Sequence, residues 1–331
     1  MPTTVPTMIL GDGWSIPRIG FGTAGVKSAA AMATALREGV RLFDTAVMYQ
    51  NEARIKSAIA ATNVPRKEMY LLSKAWPFRA DGHTNKSRAF DAPAKDVATL
   101  TAEVEAHIEA MGVGYLDLLL LHWPTHAICE QWTALIKLKR QGRVRSIGLS
   151  NAYVRDLDLL RQCQLEPPVL IQQDVGPVKS DRRMTFDAEE LIKACWMRGV
   201  ALMSYSQVSS MLSHDMVSSM LRDARSRRLA QEAKVSVAHL ALRYGLQRGF
   251  ALIFSSRSGD HVRDNLRVFD VELDAATIAN LACWRGEPRC DEVFGACFNV
   301  RGRVDSGCCS LGSGGAGTVP CAVGVNHSHD V

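Results

Sequence analysis

Eight short apolar runs of strand length divide this sequence, and their order limits the folds that it can adopt. Each run ends in a polar or small residue, and nearly all are followed by apolar residues at helical spacing. Strands that are buried on both faces appear as continuous apolar runs rather than as alternating patterns. The runs occupy residues 16–23, 41–44, 69–74, 116–122, 144–151, 169–173, 200–206 and 251–256.

This succession of strands and helices predicts an α/β protein built as a parallel (β/α)8 TIM barrel. The length of 331 residues suits a single barrel domain, which we assign to residues 1–305. A doubly wound sheet is the rival architecture. However, the turn after the first run lacks the G-x-G-x-x-G pattern that accompanies dinucleotide binding in such sheets.

The end of the chain differs in composition from the barrel. Residues 306–331 are rich in glycine and serine and offer little to bury, which predicts a disordered tail. The Cys308-Cys309 pair has no neighbouring metal ligands, so a flexible tail is preferred over a metal or redox site. Residues 291–298 are apolar enough to fold over a ligand pocket. We therefore expect the tail to be dispensable and this preceding segment to affect substrate selectivity.

Composition and charge argue against several classes of partner. The net charge of +5 comes from scattered lysine and arginine, which disfavours nucleic acid and membrane surfaces. No apolar run reaches the roughly 20 residues of a membrane helix, and the first residues do not resemble a secretory signal. The nine cysteines lack zinc-like paired spacing. Cys163 and Cys195 lie in periodic apolar segments, so we expect buried thiols, no metal, and a cytoplasmic monomer.

Three of the apolar runs end in polar residues that can form one site. Asp44, Lys74 and His122 close their runs, and Tyr49 follows Asp44 by five residues. The carboxyl ends of barrel strands meet at one mouth, where active sites form. A nearby ammonium group lowers the pKa of a phenol. Each residue alone could be a turn, rim or core residue, but together, at converging strand ends, they indicate one functional site.

The motifs around these residues resemble those of the aldo-keto reductase family, in the same order. Phe43-Asp44-Thr45-Ala46 with Tyr49 and Asn51-Glu52 is similar to its first signature. Leu121-His122-Trp123-Pro124 is similar to its histidine strand, and residues 145–151 to its middle signature. The resemblance implies NADPH-dependent reduction of a small-molecule aldehyde or ketone to an alcohol. Tyr49 would be the acid, Lys74 and Asp44 would support it, and His122 would orient the carbonyl.

The resemblance also implies a set of cofactor-binding residues. Ser150, Asn151 and Gln172 would bind the nicotinamide carboxamide, and Tyr205 would stack on the nicotinamide ring. Ile171 stands where the family commonly has Asn. The other residues implied to contact the cofactor are Gly22, Thr23, Ser206, Ser255, Ser256, Arg257, Asp264 and Asn265.

The sequence departs from the family on the substrate side and in one loop on the cofactor side. Trp76 and Trp123 would form aromatic walls of the pocket, as the resemblance implies. Ala24 stands where the family often has Trp, which should widen one side of the pocket. Gln207-Val208-Ser209 replaces the usual Pro-Leu-Gly, so the loop around the pyrophosphate should differ.

The residues implied to bind the 2′-phosphate of NADPH differ as well. The family's Lys-Ser pair after the eighth strand is Ser255-Ser256 here, and His261 replaces a later Arg. Arg257 and Arg263 lie in the same stretch and could supply charge, with Arg257 the better candidate. We therefore expect NADPH as cofactor, with NADH as an alternative. The preference for NADPH over NADH should be smaller than in family members that keep both the Lys and the Arg.

Two other functions fit a barrel with these motifs. One is a nucleotide-binding regulatory barrel with little turnover, such as the barrel subunits of potassium channels. The presence of all four residues Asp44, Tyr49, Lys74 and His122 argues against it. The other is an alcohol dehydrogenase that works in the oxidative direction with the same residues.

Overall fold

The computed structural model describes residues 5–79, 93–177, 188–206, 220–221, 223–256 and 258–283. Several sequence predictions fall outside these ranges: those on Gln207-Val208-Ser209, on Arg257, on residues 291–298 and on the tail from Ser306. Within the described ranges, no helix is both long and apolar enough to cross a membrane.

Eight parallel strands form a closed barrel, as the sequence predicted. The last strand pairs with the first barrel strand, which leaves no free edge. The strands of the barrel are β3 (Ile19–Gly22), β4 (Leu42–Asp44), β5 (Tyr70–Ala75), β6 (Leu116–Leu121), β7 (Val144–Ser150), β8 (Leu170–Gln173), β9 (Ala201–Ser204) and β10 (Ala251–Phe254).

Ten helices accompany these strands in the described residues. The apolar faces of most helices pack on the outside of the barrel, while a second cluster of apolar side chains fills its interior. The apolar residues of the seventh and tenth helices pack with part of the eighth in a third cluster. Most of the helices were predicted, but the fifth and tenth were not. The helices are α1 (Ala29–Arg37), α2 (Glu52–Ala60), α3 (Val97–Met111), α4 (Ile128–Arg140), α5 (Val154–Gln162), α6 (Ala188–Met197), α7 (Ala224–Glu232), α8 (Val237–Gln247), α9 (Gly259–Leu266) and α10 (Ala275–Cys283).

The barrel interior depends on a close approach between its first two strands. Gly20 of β3 pairs with Leu42 of β4 in the strand register. A Cβ atom added to Gly20 would lie 2.3 Å from Leu42 Cγ, inside any permitted contact distance. Glycine at this position therefore lets Leu42 occupy the interior.

An antiparallel hairpin precedes the barrel and corrects the prediction for the first strand. Residues 16–23 were predicted as one strand, but Ile16 and Pro17 belong to β2 (Ser15–Pro17), which pairs with β1 (Thr7–Ile9). Ile16 packs into the interior cluster. The Ser146 hydroxyl of β7 also donates to Asp12 Oδ2 of the hairpin at 2.7 Å. The hairpin therefore covers the amino end of the barrel.

The prediction of buried thiols is right for Cys195 and wrong for Cys163. Cys195 is fully buried, and burial raises its pKa to about 12. Cys163 instead lies at the exposed end of α5 and forms a disulfide with Cys129 at the start of α4. The two cysteines are 34 residues apart, and such connectivity cannot be deduced from sequence spacing.

We expect reduction of this disulfide to lower thermal stability. Cross-linking the unfolded chain contributes roughly 2–4 kcal/mol, so reductant should lower Tm by several degrees. Thermal unfolding with and without dithiothreitol measures this effect, and peptide mass mapping of the unreduced protein identifies the bond. Cys163→Ser is the control, because its Tm should not respond to reductant. A wild-type Tm that is equally insensitive would contradict the prediction.

Candidate active site

A buried ion pair lies at the carboxyl ends of β4 and β5, which we call the mouth of the barrel. The Lys74 ammonium pairs with Asp44 Oδ1 and donates to the Thr45 carbonyl at 3.1 Å. The two side chains are 3% and 5% exposed. Burial by itself lowers the pKa of Lys74, but the Asp44 carboxylate raises it, and the result lies above the usual value. Lys74 therefore stays charged at neutral pH.

Tyr49 approaches this pair from a single 3-10 turn, Val47–Tyr49. Lys74 Nζ lies 5.3 Å from the centre of the Tyr49 ring. Burial raises the pKa of Tyr49, Lys74 lowers it, and Asp44 raises it again, so that the net change is upward. The lysine lowers the pKa of Tyr49, as the sequence predicted, and burial outweighs this effect. Tyr49 consequently keeps its proton at neutral pH.

His122 faces the same space from the end of β6. Its ring meets Tyr49 at 5.9 Å and Trp76 at 5.5 Å between centroids, nearly perpendicular in both cases. Burial, and then the charge of Lys74, hold the pKa of His122 well below its usual value, so the ring is neutral. His122 Nδ1 is buried and has no hydrogen-bond partner among the described residues. The ring thus retains hydrogen-bonding capacity for a ligand.

The residues assigned to the carboxamide lie beside these groups. Gln172 Nε2 donates to Asp44 Oδ2 at 2.5 Å. Asn151 adopts a left-handed conformation with φ of 55°. In this position its amide nitrogen donates to the His122 carbonyl at 2.9 Å, and its oxygen accepts from the Tyr205 hydroxyl at 2.6 Å. The structure therefore brings Gln172, Asn151 and Tyr205 together with the ion pair.

Asn51 supports the mouth, although the sequence identified it only as part of a motif. Its amide nitrogen donates to Thr23 Oγ1 at 2.9 Å, and its oxygen accepts from Thr45 Oγ1 at 2.8 Å. The Thr23 hydroxyl in turn donates to the Asp44 carbonyl at 2.9 Å. Asn51 is 2% exposed. A polar residue directly before a predicted helix was the only sequence signal for Asn51. Its partners Thr23 and Thr45 are brought to it by the fold.

The nucleotide end of the predicted site lies where β10 meets β3. The Ser255 hydroxyl donates to the Gly22 carbonyl at 2.7 Å, and that of Ser256 to the Ser258 carbonyl at 3.0 Å. On α9, Asp264 Oδ2 lies 3.6 Å from His239 Nε2, and Asn265 is half-buried.

Arg263 was one of two candidates for binding a 2′-phosphate. Its guanidinium pairs with Glu38, at the end of α1, at 2.7 Å and with Asp260 at 2.8 Å. These carboxylates raise the pKa of Arg263 and occupy its donors. His261 is exposed on the same helix, and Arg257 lies outside the described residues. Arg263 is therefore a connection between α9 and α1 rather than a free cation.

Of the predicted substrate walls, Trp76 contacts His122. Trp76 also packs against Phe78, with ring centroids 5.5 Å apart. Trp123 is half-buried on the loop after β6, and Ala24 is half-buried after β3. Among the residues that the structure describes, no group of three or more His, Cys, Asp or Glu side chains could hold a metal ion.

Comparison with known proteins identifies the family of this chain. The model of the aldo/keto reductase family matches residues 8–283. An aldo-keto reductase of Mycolicibacterium vanbaalenii is 32% identical over 84% of this chain and 91% of its own length. A glyoxal reductase of Bacillus subtilis is 30% identical over 82% and 91%, respectively. The crystal structure of an aldo/keto reductase from Brucella melitensis matches with a TM-score of 0.70 and 28% identity, covering 86% of this chain and 99% of that one. This chain belongs to the aldo/keto reductase family of oxidoreductases.

Proposed function

We propose that the protein reduces aldehydes or ketones to alcohols with NADPH and that Tyr49 delivers the proton. The observation that carries this proposal is the grouping at the mouth: a protonated phenol beside a lysine held charged by a buried carboxylate. His122 completes the group as a neutral imidazole that faces the same space. General acid catalysis of this kind contributes about 10²–10⁴-fold to a rate.

The residues present fit a nicotinamide cofactor. Ser150, Asn151 and Gln172 would hold its carboxamide, because amide and hydroxyl side chains both donate and accept hydrogen bonds, as a carboxamide does. Tyr205 would stack on the ring. When bound, the nicotinamide supplies the hydride for carbonyl reduction.

Each residue of the mouth then has one task in the transfer of the proton. Tyr49 holds the proton at neutral pH because burial raises its pKa. Lys74 would stabilise the phenolate as the proton leaves, and Asp44 keeps Lys74 charged and in place. His122 would donate to the substrate oxygen, which positions the carbonyl and stabilises the charge that develops on it.

A direct assay tests this proposal. Purified protein with NADPH and a reactive aromatic aldehyde should show loss of NADPH absorbance that depends on both enzyme and aldehyde. The alcohol product should form in equal amount. Binding of NADPH without turnover on several aldehydes and ketones would instead favour the regulatory barrel.

The cofactor preference follows from the few cations at the nucleotide end. Because Arg263 is occupied by Glu38, we assign the 2′-phosphate contact to Arg257. A charged hydrogen bond is worth roughly 1.5–3 kcal/mol, which corresponds to about 10- to 100-fold in affinity. Arg257→Ala should weaken the binding of NADPH by that factor and leave the binding of NADH unchanged. Quenching of tryptophan fluorescence during titration with each cofactor measures both affinities.

Arg263→Ala, six residues later in the sequence and on α9, provides the matched control. It removes a guanidinium that is already paired, so the ratio of the two affinities should stay as in the wild type. Tighter binding of NADH than of NADPH by the wild type would contradict the proposed cofactor. An unchanged ratio in Arg257→Ala would contradict the assignment of that residue.

A further inference from the structure

Two buried side chains and a half-buried one form a continuous hydrogen-bonded chain beside the mouth, which we call the Ser–His–Glu relay (Ser73, His107 and Glu52). Ser73 Oγ lies 2.8 Å from His107 Nε2, and His107 Nδ1 lies 2.6 Å from Glu52 Oε1. Ser73 is fully buried and His107 is 3% exposed. No substrate reaches a hydroxyl in this position, so the relay does not act as a nucleophile.

The protonation of the relay follows from its partners. Burial lowers the pKa of His107 in spite of the Glu52 carboxylate, so the ring is neutral at physiological pH. A carboxylate only accepts hydrogen bonds, which places the ring proton on Nδ1 and leaves Nε2 to accept from the Ser73 hydroxyl. Both ring nitrogens are thereby satisfied. The imidazole therefore fixes the distance between Glu52 and Ser73.

The relay joins the three elements that surround the proton donor. Ser73 lies on β5 directly before Lys74, His107 lies on α3, and Glu52 begins α2 three residues after Tyr49. The turn that carries Tyr49 packs against both β5 and α3. The relay therefore determines how far the start of α2, and with it the Tyr49 turn, lies from the strand that carries Lys74.

We propose that His107 is a positioning residue for proton transfer, which keeps Tyr49 and Lys74 at their working separation through Glu52 and Ser73. The inference rests on the proposed role of Tyr49 as the acid. A misplacement of about 1 Å between reacting groups can cost roughly 10²-fold in rate. The carboxamide residues Asn151 and Gln172 lie directly after β7 and on β8, away from the relay, so cofactor binding should not depend on it.

His107→Ala and His107→Gln test the proposal in the full-length protein. His107→Ala should lower kcat by roughly 10- to 100-fold, with the Kd for NADPH within a factor of about two of the wild type. His107→Gln should recover much of the loss, because its amide can donate to Glu52 and accept from Ser73. A larger solvent deuterium isotope effect on kcat in His107→Ala should show that proton transfer has become slower.

Substitutions of two buried serines on barrel strands distinguish a positioning role from a general loss of stability. Ser73→Ala breaks the relay, while Ser146→Ala removes a hydroxyl equally buried and bonded to Asp12 at the opposite end of the barrel. Both should lower Tm to a similar extent, but only Ser73→Ala should lower kcat. Equal kcat values in these two variants, or no recovery in His107→Gln, would overturn the proposal.

Tyr49→Phe, measured alongside, distinguishes this inference from the proposed function. If Tyr49→Phe abolishes turnover while His107→Ala retains it, the acid is assigned correctly and the relay has no part in positioning it. If Tyr49→Phe remains active, the proposed function fails first, and the relay has no proton donor to position.

Discussion

Replacing Tyr49 with phenylalanine is expected to lower turnover by about 10²–10⁴-fold. The substitution removes a single oxygen atom and keeps the ring, which lies 5.3 Å from Lys74 Nζ and meets His122 edge-on. Packing and cofactor affinity should therefore remain nearly unchanged. Steady-state kinetics on several aldehydes, together with titration of NADPH, measure the two properties separately.

Tyr115→Phe is the matched control for this experiment. Tyr115 also lies beneath a cation, since the Arg66 guanidinium carbon is 3.9 Å from its ring centre, but it is remote from the mouth. Loss of its hydroxyl should leave turnover at the wild-type level. A Tyr49→Phe protein that retained most of its activity would show that another group donates the proton.

Replacing Lys74 with methionine is expected to lower turnover and to move the pH–rate profile to higher pH. Lys74 lowers the pKa of Tyr49, whereas burial and Asp44 raise it. Without the ammonium group only the raising influences remain. Carbonyl reduction requires protonated Tyr49, so the rate falls as pH rises through this pKa, and in the variant that fall should begin at higher pH. The maximal rate should be lower because the phenol is then a weaker acid.

The same substitution leaves the Asp44 carboxylate buried without its partner. Loss of one member of a buried pair costs about 3–5 kcal/mol of unfolding free energy, so assays belong well below the Tm of the variant. Lys95→Met is a suitable control, because Lys95 is also a buried lysine, paired with Glu103. Its pH–rate profile should match that of the wild type. An unchanged profile in Lys74→Met would mean that the lysine only shapes the site.

Much of the barrel could be predicted because its strands carry a strong local signal. Each strand is an apolar run that is followed or closed by a polar or small residue, as at Asp44 and His122. The α5 helix was not predicted because it buries only Leu157 and Leu160 among its apolar residues, while Leu159 between them is exposed. The first hairpin was missed because Ile16 and Pro17 continue the apolar run into β3 although the strand breaks there.

Sequence did not predict the features of the site that depend on contacts between residues far apart in the chain. Arg263 was a candidate for phosphate binding, but it pairs with Glu38, 225 residues earlier. The direction of the Tyr49 pKa depends on how deeply the fold buries the phenol, which the motif does not encode. Likewise, Glu52 belonged to a recognisable motif, but its partner His107 lies 55 residues later on another helix.

The hydrogen bond between Ser255 and Gly22 has a consequence for how the newly synthesised chain folds. It joins residues 233 positions apart, at the pairing of β10 with β3 that closes the barrel. The entropic cost of bringing segments together grows with the length of chain between them, so this pairing is the most costly in the sheet. During synthesis, Asp44, Tyr49, Lys74 and His122 emerge from the ribosome long before Ser255. A nucleotide bound at Gly22 and Ser255, as proposed, would stabilise the final closure of the nascent barrel.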